Sequence, residues 1–215
     1  MKSFLIHGQN LADAYAVTRT FAGSDKNAPD TYGIVRWRIW EGQGVLLEAT
    51  DTRSFSQCWV GLNENSQRPD ADHDALFSVS DSANRLSGLL QHAARLDESV
   101  SVDVVEQQSD LPGLSKSSVL EFRLGDREMI RCPTIGTSIR ESDGFFDNFT
   151  EEPQGSISLS ASAWKLSATV KHVGPIDVSL GDGLALLTPV NSGLDFRAVL
   201  STRATSLLSL PRSCT

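Results

Sequence analysis

An internal repeat constrains this sequence more than any other feature. Residues 77–87 and 157–167, which lie 80 positions apart, carry the same amino acid at six of eleven positions, and Arg85 corresponds to Lys165. In both copies a short alternating segment leads into apolar residues at helical spacing, which predicts a strand followed by an amphipathic helix. The alternative is a chance match, because Ser, Ala and Leu supply every identity. The recurrence favours a fold built from copies of one supersecondary motif.

The same order of patterns can be followed three times along the chain. Helical spacing predicts helices within 8–26, 80–96 and 160–172. Alternation of apolar and polar residues predicts one strand before each helix and three strands after it. The prediction is therefore an α+β fold of three βαβββ units. Its parts are a complete two-unit domain over 1–135, an acidic linker over 136–154, a half-domain over 155–204 and a flexible tail over 205–215.

The sequence contains neither a secretion signal nor a membrane-spanning segment, which predicts a protein that stays in the compartment where it is made. The N-terminal residues 1–8 contain only three consecutive apolar residues, too few for a signal peptide, and no apolar run approaches the ~20 residues of a membrane helix. Cys58, Cys132 and Cys214 are far apart and odd in number; we interpret the first two as buried residues of strands. A cytoplasmic location without membrane contact is predicted.

No pattern in the sequence predicts an enzyme or a bound cofactor. Ser162 and Lys165 match the Ser-x-x-Lys pattern of penicillin-recognising enzymes, but no Lys-Thr-Gly or Ser-Asp-Asn motif accompanies them. The segment 70–74 contains three Asp and one His, yet it lacks the Gly and the distal Glu of a calcium-binding loop. We interpret it as a solvated acidic loop. No glycine-rich nucleotide-binding motif is present.

An ordered series of segments resembles the DNA sliding clamp family. Residues 44–51 resemble the Ala-Thr-Asp hairpin corner of bacterial clamp first domains, and 76–102 resemble the second strand–helix–strand of that domain. Residues 123–133 and 184–203 resemble the closing strands of clamp domains. The resemblance implies a ring with helices inside and sheets outside. It also implies double-stranded DNA, DNA polymerase, other proteins with clamp-binding motifs and a clamp loader as partners, and a homo-oligomer as the functional state.

The number of units departs from the family pattern. Clamp rings contain twelve units, and bacterial clamps carry six of them in each chain. Three units in this chain imply four chains in a ring of the same size. The incomplete third unit leaves a second function open, that of a clamp-derived interaction or adaptor protein that binds a clamp or its clients without encircling DNA.

The charge distribution is consistent with helices that face DNA. The chain has a net charge of −8, whereas the three predicted helices sum to +3 and leave −11 elsewhere. A mildly basic central channel in an acidic protein would attract DNA phosphates without binding them tightly. The alternative is that these cations occupy solvated helix faces. The predicted DNA-binding residues are Arg19, Lys26, Arg85, Arg95, Lys165 and Lys171.

A groove for a partner peptide is predicted from aromatic residues in the acidic linker and from position relative to the clamp family. Three Phe residues occur in the acidic linker, where aromatic side chains are costly unless they pack on something. They pack either on their own domain or at a partner groove, and the strand residues of the third unit could equally be ordinary core. The predicted groove residues are Phe145, Phe146, Phe149, Leu187, Pro189 and Leu200.

Overall fold

The computed structural model describes residues 4–23, 33–40, 43–51, 54–61, 73–78, 81–107, 117–133, 163–181, 184–190 and 192–201. The predicted linker 136–154 and tail 205–215 lie outside these residues. The described part is an α+β fold with two antiparallel sheets, which confirms the predicted fold class. In chain order its elements are β1 Phe4–His7, α1 Gly8–Arg19, β2 Ile34–Trp40, β3 Gly44–Thr50, β4 Ser54–Gly61, β5 His73–Ser78, α2 Asp81–Leu96, β6 Ser99–Gln107, β7 Ser117–Leu124, β8 Glu128–Pro133, α3 Ala163–Val173, β9 Ile176–Gly181, β10 Leu184–Pro189 and β11 Asp195–Ser201.

The first two units exchange their first strands. The first unit comprises β1, α1 and β2 to β4, and the second comprises β5, α2 and β6 to β8. Strand β1 pairs with β6 of the second unit, and β5 pairs with β2 of the first. The exchange gives a four-stranded sheet in the order β1-β6-β7-β8 and makes β5 the end strand of the other sheet. Neither unit could complete its sheet alone, so the two form one structural body.

The third unit, α3 with β9 to β11, extends the sheet of the first unit. Strand β11 pairs antiparallel with β4, from Asp195 opposite Trp59 to Leu200 opposite Ser54. The result is a seven-stranded sheet in the order β5-β2-β3-β4-β11-β10-β9. We call the β4–β11 pairing, with the packing of α3 on α1, the seam. Each strand of the seam is the last strand of its own unit.

Alternation along the strands separates a core face from an outer face. In β2, Val35, Trp37 and Ile39 are buried in the main core, whereas Arg36 and Arg38 lie on the opposite face and are only partly buried. The helices cover the core face, and α1 contributes Leu11, Ala14, Tyr15 and Val17 to the same core. This alternation with period two is what fixes which face of each sheet is apolar.

Helix α1 ends earlier than the predicted range 8–26. Its last helical residue is Arg19, and the following amides bond three residues back, with Phe21 donating to the Thr18 carbonyl at 3.0 Å. This tighter turn directs Phe21 and Ala22 into the core. Apolar residues continue at helical spacing beyond the last helical residue because the turn that follows the helix is also buried.

Polar side chains link four strands on the outer face of the seven-stranded sheet. Glu48 of β3 is fully buried and accepts from Arg36 of β2 at 3.4 Å and from the amide of Gln57 of β4 at 2.6 Å. The Gln57 carbonyl oxygen accepts from Arg197 of β11 at 3.1 Å. The series therefore crosses the seam and satisfies a carboxylate that would be costly to bury alone.

A second buried carboxylate occupies the outer face of the four-stranded sheet. Glu121 of β7 pairs with Arg123 of its own strand and with Arg131 of β8, whose Nε lies 2.7 Å from Oε2. Burial raises the pKa of the Glu121 carboxyl, but the hydrogen bonds from the two guanidinium groups outweigh it, so the net pKa lies below its usual range. Glu121 therefore stabilises the fold in its ionised form.

The substitution Glu121→Gln should remove a pH-dependent part of the stability. Because the pKa of Glu121 is lower in the folded state, the ionised side chain stabilises the fold fully above the unfolded-state pKa of about 4.3. This stabilisation is lost as the pH falls through the folded-state pKa. We expect the variant to be less stable than the wild type by roughly 2 kcal/mol at pH 7. Urea unfolding at pH 7, 5 and 3.5 measures this difference. The role assigned to Glu121 is contradicted if the stability difference between wild type and variant does not shrink at pH 3.5. It is also contradicted if Asp126→Asn, in the exposed turn, lowers the stability by the same amount.

Candidate nucleic-acid interface

The three helices form one layer with α1 in the middle. Helix α1 packs against both α2 and α3. A guanidinium nitrogen of Arg19 donates to the hydroxyl of Ser87 on α2 at 3.0 Å, and Nδ1 of His172 on α3 lies 3.9 Å from a carboxylate oxygen of Asp13 on α1. We call α1, α2 and α3 the helix layer. Because the sheets cover one side of this layer, its other side is available to solvent or to a ligand.

The helix layer carries exposed cations. Arg85 and Arg95 of α2 and Lys171 of α3 are exposed, and Arg19 is half-buried beside Ser87. Within the described residues, neither Arg95 nor Lys171 forms an ion pair. The structure thus brings four of the predicted DNA-binding residues to one layer, whereas Lys26 lies outside the described residues.

The expectation that Lys165 is exposed is wrong. Its side chain is buried, with only 4% of the residue accessible. Nζ donates to the Asp51 carboxylate and to the Ser54 hydroxyl, and it lies 5.3 Å above the ring of Phe21. Burial lowers the pKa of the ammonium group, and the nearby Asp51 partly offsets that effect. Lys165 therefore joins α3 to the corner between β3 and β4 instead of facing DNA.

Little in the sequence marked this role. Lys165 and Thr169 are polar, and only the structure shows that they share the inward face of α3 with Val173. The correspondence with Arg85 gave no guidance, because Arg85 is exposed on α2.

The predicted partner groove is not open at two of its positions. Leu187 and Leu200 are both fully buried in the main core, because they occupy the face of β10 and β11 that the helices cover. Pro189, at the end of β10, is partly exposed. The three Phe residues of the predicted groove, at 145, 146 and 149, lie outside the described residues, so a peptide groove stays a prediction.

Two cysteines and the side chains that could ligate a metal complete the description of the site. Cys58 and Cys132 are buried in β4 and β8, as predicted, and burial raises the pKa of the Cys132 thiol to about 12. Across the described part of the chain, no three His, Cys, Asp or Glu side chains are arranged to hold a metal ion. No described helix is long and apolar enough to cross a membrane. Asp70, Asp72 and Ser162 lie outside the described residues.

Repeated strand–helix units with exchanged strands and one helix layer define a repeat-built α+β protein. Its fold is that of the bacterial DNA sliding clamps, the β subunits of DNA polymerase III. The β subunit from Borrelia burgdorferi superposes with a TM-score of 0.60 at 13% identity, and the clamp from Caulobacter crescentus with 0.59 at 10%. The clamp from Bacillus subtilis gives 0.57 at 11%. No protein-family model and no curated protein matches the sequence.

These likenesses cover almost all of this chain but only part of each clamp. The matches span 94% of this chain and 64% of the Borrelia burgdorferi subunit, and 100% and 70% for Caulobacter crescentus. At 10–13% identity the likeness concerns the fold. The shared architecture agrees with the resemblance that the sequence segments indicated.

Proposed function

We propose that this chain is a sliding clamp, a non-enzymatic protein that forms a homo-oligomeric ring around duplex DNA and tethers a polymerase or other replication and repair proteins there. The observation that carries the proposal is the helix layer: in an acidic chain with a clamp fold, the described helices carry the exposed residues Arg85, Arg95 and Lys171. In this proposal the side of the layer that faces away from the sheets faces the DNA.

The weak positive charge of the helix layer suits a ring better than a simple DNA-binding surface. Phosphate contacts supply affinity in proportion to the number of cations that make them. Three exposed cations on the described helices of each chain are too few for tight binding of a short duplex, particularly in a chain of net charge −8. A closed ring retains DNA by topology, so it needs only weak contacts that allow sliding. Since no base-reading element is proposed, binding should be independent of DNA sequence.

The partners follow from the same proposal. A ring of this kind needs a clamp loader to open it on DNA, and a polymerase or another protein with a clamp-binding motif to use it. We place these events in the cytoplasm. Pro189 is the one predicted groove residue that is both described and partly exposed, so substitutions near the end of β10 are the first to examine for loss of partner binding.

Retention on circular DNA tests the proposal. The protein is loaded on nicked circular plasmid, with and without a bacterial clamp loader, and bound protein is separated by gel filtration. Because salt weakens phosphate contacts but not topology, the ring should stay on the circle in about 0.5 M salt and be lost on the order of tenfold faster after linearisation.

A second function is tested by the same measurement. The chain spans 64% of the length of the Borrelia burgdorferi subunit, and its third unit has no fourth unit beside it among the described residues. The alternative that we propose is a clamp-derived adaptor that binds a clamp or its clients without encircling DNA. Equal loss from circular and linear DNA contradicts the ring and leaves the adaptor as the better account.

A further inference from the structure

One row of residues crosses the outer face of the four-stranded sheet from edge to edge. Leu5, Ser101, Arg123 and Met129 lie opposite one another on β1, β6, β7 and β8, and we call them the outer row. They point away from the core, because the residues next to them in their strands, such as Phe122, pack in the core. The outer row is therefore on the opposite side of the sheet from the helix layer.

The two ends of the outer row are exposed apolar side chains. Leu5 is 73% exposed and Met129 is 47% exposed, and they are two of the four large apolar residues that are exposed in the described part of the chain. One such residue on a protein surface is ordinary. Here two of them share one row and lie three strand spacings, or about 14 Å, apart. Both would lose water-exposed apolar area against a partner, which favours binding.

Between these ends the outer row carries an arginine that is held in place. Arg123 pairs with Glu121 of its own strand, whose side chain is only 2% exposed, and Glu121 also pairs with Arg131 of β8. The buried carboxylate fixes the guanidinium of Arg123, although half of the Arg123 side chain is exposed. A guanidinium has five N–H donors. Within the described residues Glu121 is the one acid that pairs with Arg123, so donors remain for a second carboxylate.

The charges around the outer row favour an anionic group at Arg123. The two guanidinium groups exceed Glu121 by one positive charge, and Arg123 is the one ionisable side chain of the row itself. The nearest other acid on β6, Asp103, is two residues further along that strand, about 7 Å away. Its carboxylate is part-buried and accepts a hydrogen bond from the Ser101 hydroxyl at 3.0 Å. A carboxylate laid over the row therefore meets the cation first.

The spacing of the outer row fits a short extended peptide. In an extended chain, residues i, i+2 and i+4 point to the same side, and i and i+4 are about 13 Å apart. Apolar residues at i and i+4 of such a peptide would therefore reach Met129 and Leu5. Residue i+2 would then lie about 7 Å from each end, within reach of the Arg123 side chain one strand spacing from Met129.

We propose that the outer row binds an extended segment of a partner protein that carries apolar residues at i and i+4 and Asp or Glu at i+2. Leu5 and Met129 contact the two apolar side chains, and Arg123, oriented by Glu121, binds the carboxylate through parallel N–H···O bonds. One cation between two apolar residues suits a peptide better than a nucleic acid, which selects several cations. The inference goes beyond the proposed function, because this partner binds on the side of the sheet that faces away from the helix layer.

Amide shifts in nuclear magnetic resonance spectra of the isotope-labelled protein test this site. The probe is the peptide Gly-Leu-Ser-Glu-Ser-Leu-Gly with blocked ends, and the control peptide has Gln in place of Glu. We expect saturable shifts at the outer row with a dissociation constant of about 0.1–1 mM, since two apolar contacts and one charge-assisted pair supply modest affinity. The Gln peptide should bind at least fivefold more weakly.

Paired variants identify the side chains that bind the peptide. Arg123→Gln and Leu5→Ser should each raise the dissociation constant at least fivefold. Arg127→Gln, in the turn between β7 and β8, and Val170→Ser, on α3, make matched changes at exposed positions off the row. They should leave the dissociation constant unchanged within a factor of two. Thermal melting establishes that all four variants fold like the wild type, and Leu5→Ser removes a side chain that is mostly in solvent.

Four outcomes overturn the proposal. The first is no saturable shift up to about 5 mM peptide, well above the expected range. The second is equal binding of the Glu and Gln peptides, or shifts confined to another surface. The third is an equal shift of the row with inorganic phosphate, which would make Arg123 a general anion site. The fourth is a shift of Leu5 and Ser101 on dilution of the protein alone, which would assign the row to a second copy. None of these results bears on the ring, because the titration contains neither DNA nor clamp loader.

Discussion

Lys165→Met should destabilise the protein by about 3 kcal/mol, because it removes the buried Lys165 ammonium group from the largely buried Asp51 carboxylate. Methionine keeps most of the length of the side chain and its contact with Phe21, so the loss reports mainly on the charge. The lysine also joins the third unit to the first. We therefore expect amides of the β4–β11 pairing to lose more protection from hydrogen exchange than those of β7 and β8. Urea unfolding and native-state hydrogen exchange measure the two effects.

Two further variants make this result specific. Lys171→Met removes a charge from the same helix at an exposed position and should change stability by less than about 0.5 kcal/mol. Asp51→Asn added to Lys165→Met removes the negative charge that faced the lysine and should recover part of the loss. If Lys165→Met and Lys171→Met have equal effects, the buried ion pair does not hold the third unit in place.

Charge reversal on the helix layer should weaken DNA binding by roughly a hundredfold at 50 mM salt, since each lost phosphate contact there is worth about one order of magnitude. The variant is Arg95→Glu with Lys171→Glu, which changes two exposed residues that form no ion pair within the described chain. The slope of log affinity against log salt should become shallower by about 1.8 for the two contacts. Fluorescence anisotropy with a short duplex across a salt series measures both quantities.

Arg127→Glu provides the control for this experiment. It makes the same kind of charge change at an exposed position, but in the turn between β7 and β8 and not on a helix. Its salt slope should match that of the wild type, and its affinity should fall only by the small effect of net charge. An Arg127→Glu variant that loses as much affinity as the helix variant shows that binding is not confined to the helix layer.

The repeat and the periodicities were sufficient to predict the α+β class and the order of the described elements, whereas the strand predicted before α3 lies outside the described residues. Period two in segments such as 35–39 assigned a core face, and helical spacing in 86–93 assigned the buried positions of α2. These are local properties, because the side-chain direction of a strand or helix follows from its backbone geometry. The helix limits were less well predicted. Phe21 continued the apolar pattern of α1 although the chain there forms a tight turn.

The burial of Lys165 and Leu187 depends on neighbours that are distant in sequence. A lysine on a helix is ordinarily solvated, and its burial here depends on Asp51 and Ser54, more than 100 residues earlier, meeting it across the seam. Leu187 was predicted at a groove, but its side of β10 faces the helix layer. Alternation in the sequence shows that a strand has two different faces. Only the packing of the helices on one face of the sheet decides which face is buried.

The sequence by itself therefore determined the repeated unit, the fold class and the set of cations that helices could present. The tertiary structure decided which units exchange strands, that the third unit continues the sheet of the first through β4 and β11, and that Lys165 belongs to that seam while Arg95 and Lys171 remain exposed. The physical reason is that strand edges and ion pairs are completed by partners far along the chain, and local periodicity carries no information about which partner that is.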